Sequence, residues 1–340
     1  MLTRFALAAG LATLALPAAA QNFYEGKTVT IVTSTGAGGT YDMTARLVAR
    51  YMPKYLPGNP TMVVQNMPGG GNVLATNYMY SIAPKDGTAI ATIHDAMPLH
   101  QVLDGRGVRF DASKFNWLGS TGQESEVIIA WHTAGIRTID DARSKEVVLG
   151  GTGAGSGLFI IPMAMNRILG TKFKMVIGYK TSEDLNLAMQ RGEVQARAFS
   201  MTSITAQHPD WIKNKTVDFI AQAGEERDHT IPNVPLLTEL ATNEVDRQVM
   251  KLISSPPGLG RPYIAPPDVP ADRVALLRKA LASAFADKGF VADSAKAQLD
   301  IDPMSAEEVT KIVNEVIGAS PEVVAKAKVA VADPKDARGQ

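Results

Sequence analysis

Short apolar runs alternate along the chain with segments whose apolar residues recur at helical spacing. This is the pattern of an α/β protein built around largely parallel sheets. Strands are predicted at 29–33, 61–65, 89–93, 127–131, 147–150, 174–177 and 217–221, with a further strand-like run at 194–199. Helices are predicted at 41–55, 73–81, 139–143, 158–169 and 182–190, and the last third is helical at 271–286 and 306–317. The proline-rich stretches 231–235 and 255–258 read as turns or crossovers.

Two strand-to-helix junctions are rich in glycine. The first runs Ser34-Thr35-Gly36-Ala37-Gly38-Gly39-Thr40-Tyr41-Asp42, after which helical periodicity resumes at Ala45, Leu47, Val48 and Tyr51. The second runs from Gly150 through Thr152, Gly153, Gly155 and Ser156 to Gly157, and leads into Leu158, Ile161, Met165 and Ile168. A helix that starts just behind a strand leaves its first N–H groups unpaired, glycine admits close approach of a ligand to the backbone, and the helix dipole favours negative charge. Two such cradles suggest two domains facing one anionic ligand. Neither is a phosphate-binding Walker loop, because no Gly-Lys-Ser/Thr follows.

The N-terminus places Arg4 before an uncharged apolar stretch, then Pro17-Ala18-Ala19-Ala20 and Gln21. This is the order of an export signal, with cleavage expected after Ala20 and the mature chain in the periplasm; the apolar stretch is shorter than the ~20 residues of a spanning helix. Lys+Arg and Asp+Glu each total 34, so no global field favours nucleic acid. With no cysteine there are no disulfides or thiolate metal sites, and the five histidines show no metal-binding spacing. Neither a cofactor nor a metal is expected. Ser156 is not in a Gly-x-Ser-x-Gly elbow, which counts against a secreted α/β hydrolase, the alternative to a binding protein.

The chain resembles the extracytoplasmic solute receptors of the tripartite tricarboxylate transporter system, the Bug-type receptors. The resemblance rests on Tyr24-x-Gly26-Lys27-x-Val29-x-Ile31-Val32, Gly38-Gly39 with Asp42 and Ala45-Arg46, Val63-Val64-x-Asn66-x-Pro68-Gly69, Pro84-Lys85-Asp86-Gly87-Thr88, and Pro232-x-Val234-Pro235 with Glu239. It implies a two-domain periplasmic-binding-protein fold of type II, with residues 21–120 plus 235–340 in one domain, 121–234 in the other, and crossings near 119–124 and 223–235. It also implies a monomer that passes a small carboxylate to integral membrane permease subunits, or that serves a sensor instead.

For the site, the resemblance implies a carboxylate held by main-chain N–H groups, short hydroxyls and waters, with few arginine contacts. The carried-over positions are Ser34, Thr35, Gly38, Gly39 and Thr40 in the first loop and Thr152, Gly153, Gly155 and Ser156 in the second. Asp42 either accepts from a ligand hydroxyl or amine, organises a water, or caps the helix at its own position, and the sequence leaves these open. His94 and Asp95 end the third strand on the side where the cradles open, and Ser200 to Ser203 supply hydroxyls in a third loop. Three departures from the family pattern stand out: Thr33-Ser34-Thr35 replaces a usual proline, Tyr179-Lys180-Thr181 lacks a final glycine, and Gln195-Ala196-Arg197 follows Gly192-Glu193-Val194 where an aspartate is usual. Arg197 is expected to be solvated, the alternative being that it pairs with a carboxylate.

Overall fold

A computed structural model describes residues 23–152 and 157–332. The expected export signal and its cleavage site, and Gly153, Gly155 and Ser156, lie outside the described residues.

Ten strands form two sheets of five. The first joins β1 (Thr28–Thr33), β2 (Thr61–Asn66), β3 (Ala89–Thr92), β4 (Asn116–Ser120) and β10 (Pro262–Ala265) in the order β2-β1-β3-β10-β4. The second joins β5 (Glu126–Trp131), β6 (Val147–Gly151), β7 (Phe173–Ile177), β8 (Ala196–Ser200) and β9 (Val217–Ala223) in the order β7-β6-β8-β5-β9. The protein is a mixed α/β structure in which both sheets follow one plan. In each, the fourth strand runs against its neighbours: β10 is antiparallel to β3 and β4, and β5 to β8 and β9. The expectation of largely parallel sheets therefore misses one reversed strand per sheet. Both reversed strands lie next to a passage of the chain from one sheet to the other.

β4 and β10 escape the sequence pattern for physical reasons. β10 is four residues long, opens with proline and is buried on both faces, so it has no alternation to detect. β4 contains Gly119 at φ +141° and has polar ends. The helix predicted over 158–169 ends as an α-helix at Ala164 and continues as a π turn, Met165–Leu169, after Pro162 removes one N–H from the ladder.

Val29, Ile31, Val48, Ile90, Leu277 and Phe285 build the core of the first sheet. Around the second sheet, Ile128, Leu149, Ile161 and Ala198 share a core with Leu99, Val249, Met250, Val323 and Ala327. The Glu244–Ile253 and Pro321–Val331 helices thus pack on the second sheet, although residues 235–340 are expected in the first domain. The two passages touch: Glu124 N–H donates to the Pro257 carbonyl at 3.0 Å. Gly260 sits at φ +57°, and a Cβ there would run into the Gly122 carbonyl oxygen, so only glycine fits.

Candidate functional site

The loops at the carboxyl ends of the strands converge on a cavity of about 320 Å³. Its volume is in the range of small-molecule sites.

The first glycine loop forms one side. Ser34, Thr35, Gly36, Gly39, Thr40 and Tyr41 line the cavity, and the Thr40–Tyr51 helix starts there with Gly39 at its N-cap and no side-chain cap. The hydroxyls of Ser34 and Thr35 are buried without a hydrogen-bond partner. Such groups are costly to leave unpaired, and they are the donors a carboxylate would satisfy.

Two residues expected at the ligand turn away from it. Gly38 and Asp42 do not line the cavity, because they are bonded to each other: the Gly38 N–H donates to Asp42 Oδ2 at 3.0 Å. Asp42 also accepts from Arg46 Nε at 2.9 Å and Asn66 Nδ2 at 3.0 Å, and it is 3% exposed. Burial alone would raise its pKa, but the bonds from Arg46, Gly38 and Asn66 outweigh this and hold it below the usual carboxylate range. Both carboxylate oxygens are thus committed to the protein, and no side chain caps the helix. Asp42 ties the glycine loop to its helix and to β2.

Thr152, His94, Asp95 and Ser200 do line the cavity. His94 Nδ1 lies 2.7 Å from Asp95 Oδ1, and its ring stacks on Tyr41 with centroids 5.5 Å apart. Burial would lower the His94 pKa, but Asp95, together with Glu126 and Glu124, more than offsets this and raises it. Ser200 caps the Met201–Gln207 helix by accepting from the Ser203 N–H. Its hydroxyl also donates to Ser203 Oγ, which meets Thr40 Oγ1 at 2.9 Å across the cleft. Another cross-cleft bond runs from Gln207 Nε2 to the Gly38 carbonyl at 3.2 Å.

A charged wall was not foreseen. Arg261, just before β10, is 2% exposed, and its guanidinium donates to Glu124 Oε2 at 2.9 Å, Thr40 Oγ1 at 3.2 Å and Ser200 Oγ at 3.3 Å. Arg197 is fully buried, contrary to the solvated position expected of it. Its donors go to the Ala198 carbonyl, the Ser182 carbonyl and hydroxyl, and Asn186 Oδ1, and its guanidinium lies over the Phe199 ring at 3.8 Å. Burial pushes its pKa down to about 9, with Glu126 and Glu183 opposing, so the group stays cationic at neutral pH. Glu126, the first residue of β5, is 7% exposed and lines the cavity. Burial pushes its pKa up to about 8, with Asp95 and Glu124 adding and His94 and Arg197 opposing. Among the described residues, no group of three or more His, Cys, Asp or Glu is arranged to hold a metal ion, and no helix is long and apolar enough to cross a membrane.

The signals that could have found these residues were in the sequence. Arg197 interrupts the run Ala196 to Phe199, and Glu126 opens the wholly apolar run Val127 to Ala130. A charge embedded in a buried strand has to face a polar cavity or a partner.

Comparison with known proteins bears on the identity of this site. A curated relative from Cupriavidus necator, described as a UPF0065 protein in the gbd 5' region, is 26% identical over 260 residues, 73% of this chain and 75% of the relative. The solved periplasmic binding protein BugD covers 90% of this chain and 98% of its own at 21% identity, with a TM-score of 0.69. MatC from Rhodopseudomonas palustris, solved with bound malate, covers 90% and 99% at 19% identity, with a TM-score of 0.68. A third structure, R. palustris Rpa4515 with adipate, covers 89% and 97% at 18% identity, also with a TM-score of 0.68. These likenesses establish the two-domain periplasmic-binding-protein fold. Residues 44–329 match the profile of the tripartite tricarboxylate transporter family receptor, and the chain belongs to that family.

Proposed function

We propose that this protein is a periplasmic solute receptor that captures a small carboxylate between two domains and delivers it to the membrane permease of a tripartite transporter. The observation that carries the reading is the first glycine loop: a helix N-terminus and two unpaired buried hydroxyls, Ser34 and Thr35, face a cavity of small-molecule size. The malate and adipate of the solved relatives support a carboxylate ligand. On this reading the leader ends at Ala20, the mature protein works as a monomer, and nucleic acid plays no part. Residues 21–120 plus 235–340 form one domain and 121–234 the other, except that the Glu244–Ile253 and Pro321–Val331 helices pack on the second sheet, and the hinge lies where the two passages touch at Gly122 and Gly260. Gly153, Gly155 and Ser156 are proposed as further ligand contacts.

Binding should close the hinge, since the cross-cleft bonds from Thr40 to Ser203 and from Gln207 to Gly38 can form only with the domains together. Native mass spectrometry of protein purified without refolding should show a retained small acid. Small-angle scattering should then show a smaller radius of gyration when malate, adipate or aspartate is added at saturation. A profile unchanged by an acid that calorimetry shows to be bound would refute the hinge mechanism.

A further inference from the structure

Three carboxylates with buried side chains, Asp95, Glu124 and Glu126, line the cavity against two buried guanidiniums, Arg197 and Arg261, and a fourth, Glu183, stands half-exposed at the rim. The partners of all but one of the buried groups are accounted for. Arg261 takes Glu124, Asp95 lies beside His94, and the donors of Arg197 are committed to neutral acceptors on Ser182, Asn186 and Ala198. Glu126 is more than nine-tenths buried, lines the cavity, and has neither a hydrogen bond nor an ion pair among the described residues. A buried carboxylate in that position is costly unless a proton or a cation meets it.

We propose that the cleft selects a carboxylate that also bears a protonated nitrogen, an amino-acid-like zwitterion, and that Glu126 is the counter-charge to that nitrogen. This rests on the receptor reading and narrows its ligand class. The ligand carboxylate would take the free hydroxyls of Ser34 and Thr35 and the N-terminus of the Thr40–Tyr51 helix, while the ammonium would face Glu126. A second carboxylate in the same place would meet Glu126 in a buried site, where the two groups could be tolerated only by holding a proton between them. Lys180 and Glu183, at the exposed rim, carry opposite charges and offset each other.

The proton inventory supplies a signature. With no ammonium beside it Glu126 holds a proton at neutral pH, through burial and the charges of Asp95, His94, Glu124 and Arg197, with Tyr41 and Arg261 also in the wall. An ammonium favours the ionised form, so binding near pH 7 should release a proton, and affinity should rise from pH 6 to pH 8. If Glu126 instead stayed protonated and donated to a ligand carboxylate, affinity would fall over the same range.

The test is calorimetry of the purified protein with two matched pairs, L-aspartate against succinate and L-glutamate against glutarate, in buffers of different ionisation enthalpy. We expect the ammonium-bearing member of at least one pair to bind at least tenfold tighter, with proton release, and Glu126→Gln to remove at least tenfold of that preference. Should Glu126→Gln fail to fold, the proton release of the wild-type protein decides alone. Succinate or glutarate binding as tightly as its partner, or a preference that survives in Glu126→Gln, overturns the inference and leaves the receptor reading standing. A protein that binds no member of either pair and retains no acid in native mass spectrometry sinks both.

Discussion

Arg197 and Arg261 are both buried in the cleft wall, and they are held in opposite ways. Arg261 meets a countercharge, Glu124, and two hydroxyls from different loops, so its charge is neutralised on the spot and its side chain joins β10 to residues of both halves. Arg197 has only neutral acceptors, all on β8 or the Ser182–Gln190 helix, and an aromatic ring below it. A fan of oriented dipoles can keep a buried cation charged without a partner ion, and that cation still acts on whatever enters the cavity. The first arrangement fixes structure, and the second stores an electrostatic bias.

This contrast is most easily broken at Arg261. Arg261→Met leaves Glu124 buried and unpaired, and breaking such a pair from one side costs roughly 3–5 kcal/mol. Denaturant unfolding should show a loss of that size, and the double variant Arg261→Met/Glu124→Gln should recover most of it. A single variant within about 1 kcal/mol of wild type would mean that the pair does not organise the hinge.

The corresponding change at Arg197 should cost less. Arg197→Gln removes a cation that has no ion partner and leaves the Ser182 and Ala198 carbonyls seeking donors, for about 1–3 kcal/mol of stability. Because its donors are spent on the protein, affinity for a bound acid should fall less than tenfold, by calorimetry on the folded variant. A larger loss of affinity with little loss of stability would show that the guanidinium turns to hold the ligand directly.

What the sequence revealed follows the same division. The loop from Ser34 to Thr40 was legible because its chemistry is local: a strand, glycines, hydroxyls and a helix start appear in one contiguous run, and the structure keeps them together at the cavity. The charged wall draws on positions 95, 124, 126, 197 and 261, brought together by the reversed strands β5 and β10 and by the passages between sheets. No short window contains two members of that wall apart from Glu124 and Glu126. Arg197 was assigned to solvent because an isolated arginine is usually exposed, and tertiary packing overrode that preference.

The smallest effect is expected at Asp42, which was expected at the ligand and lies behind it. Its partner Arg46 is 56% exposed on its side chain, so the ion pair is largely screened and contributes little. Asp42→Asn keeps the size of the side chain and an acceptor for the Gly38 N–H, but loses the charge and the acceptor for Asn66 Nδ2, so stability should drop by about 1–2 kcal/mol. Affinity should change by less than about threefold, because Gly38 and Asp42 face each other and not the cavity. Raising ionic strength should likewise leave affinity nearly unchanged, since the charges that face the ligand are buried and poorly screened. If Asp42→Asn abolished binding while the protein stayed folded, the carboxylate would have to swing from Gly38 to the ligand on closure. The first loop would then be a moving part, and the comparison of a fixed loop with a charged wall would fail.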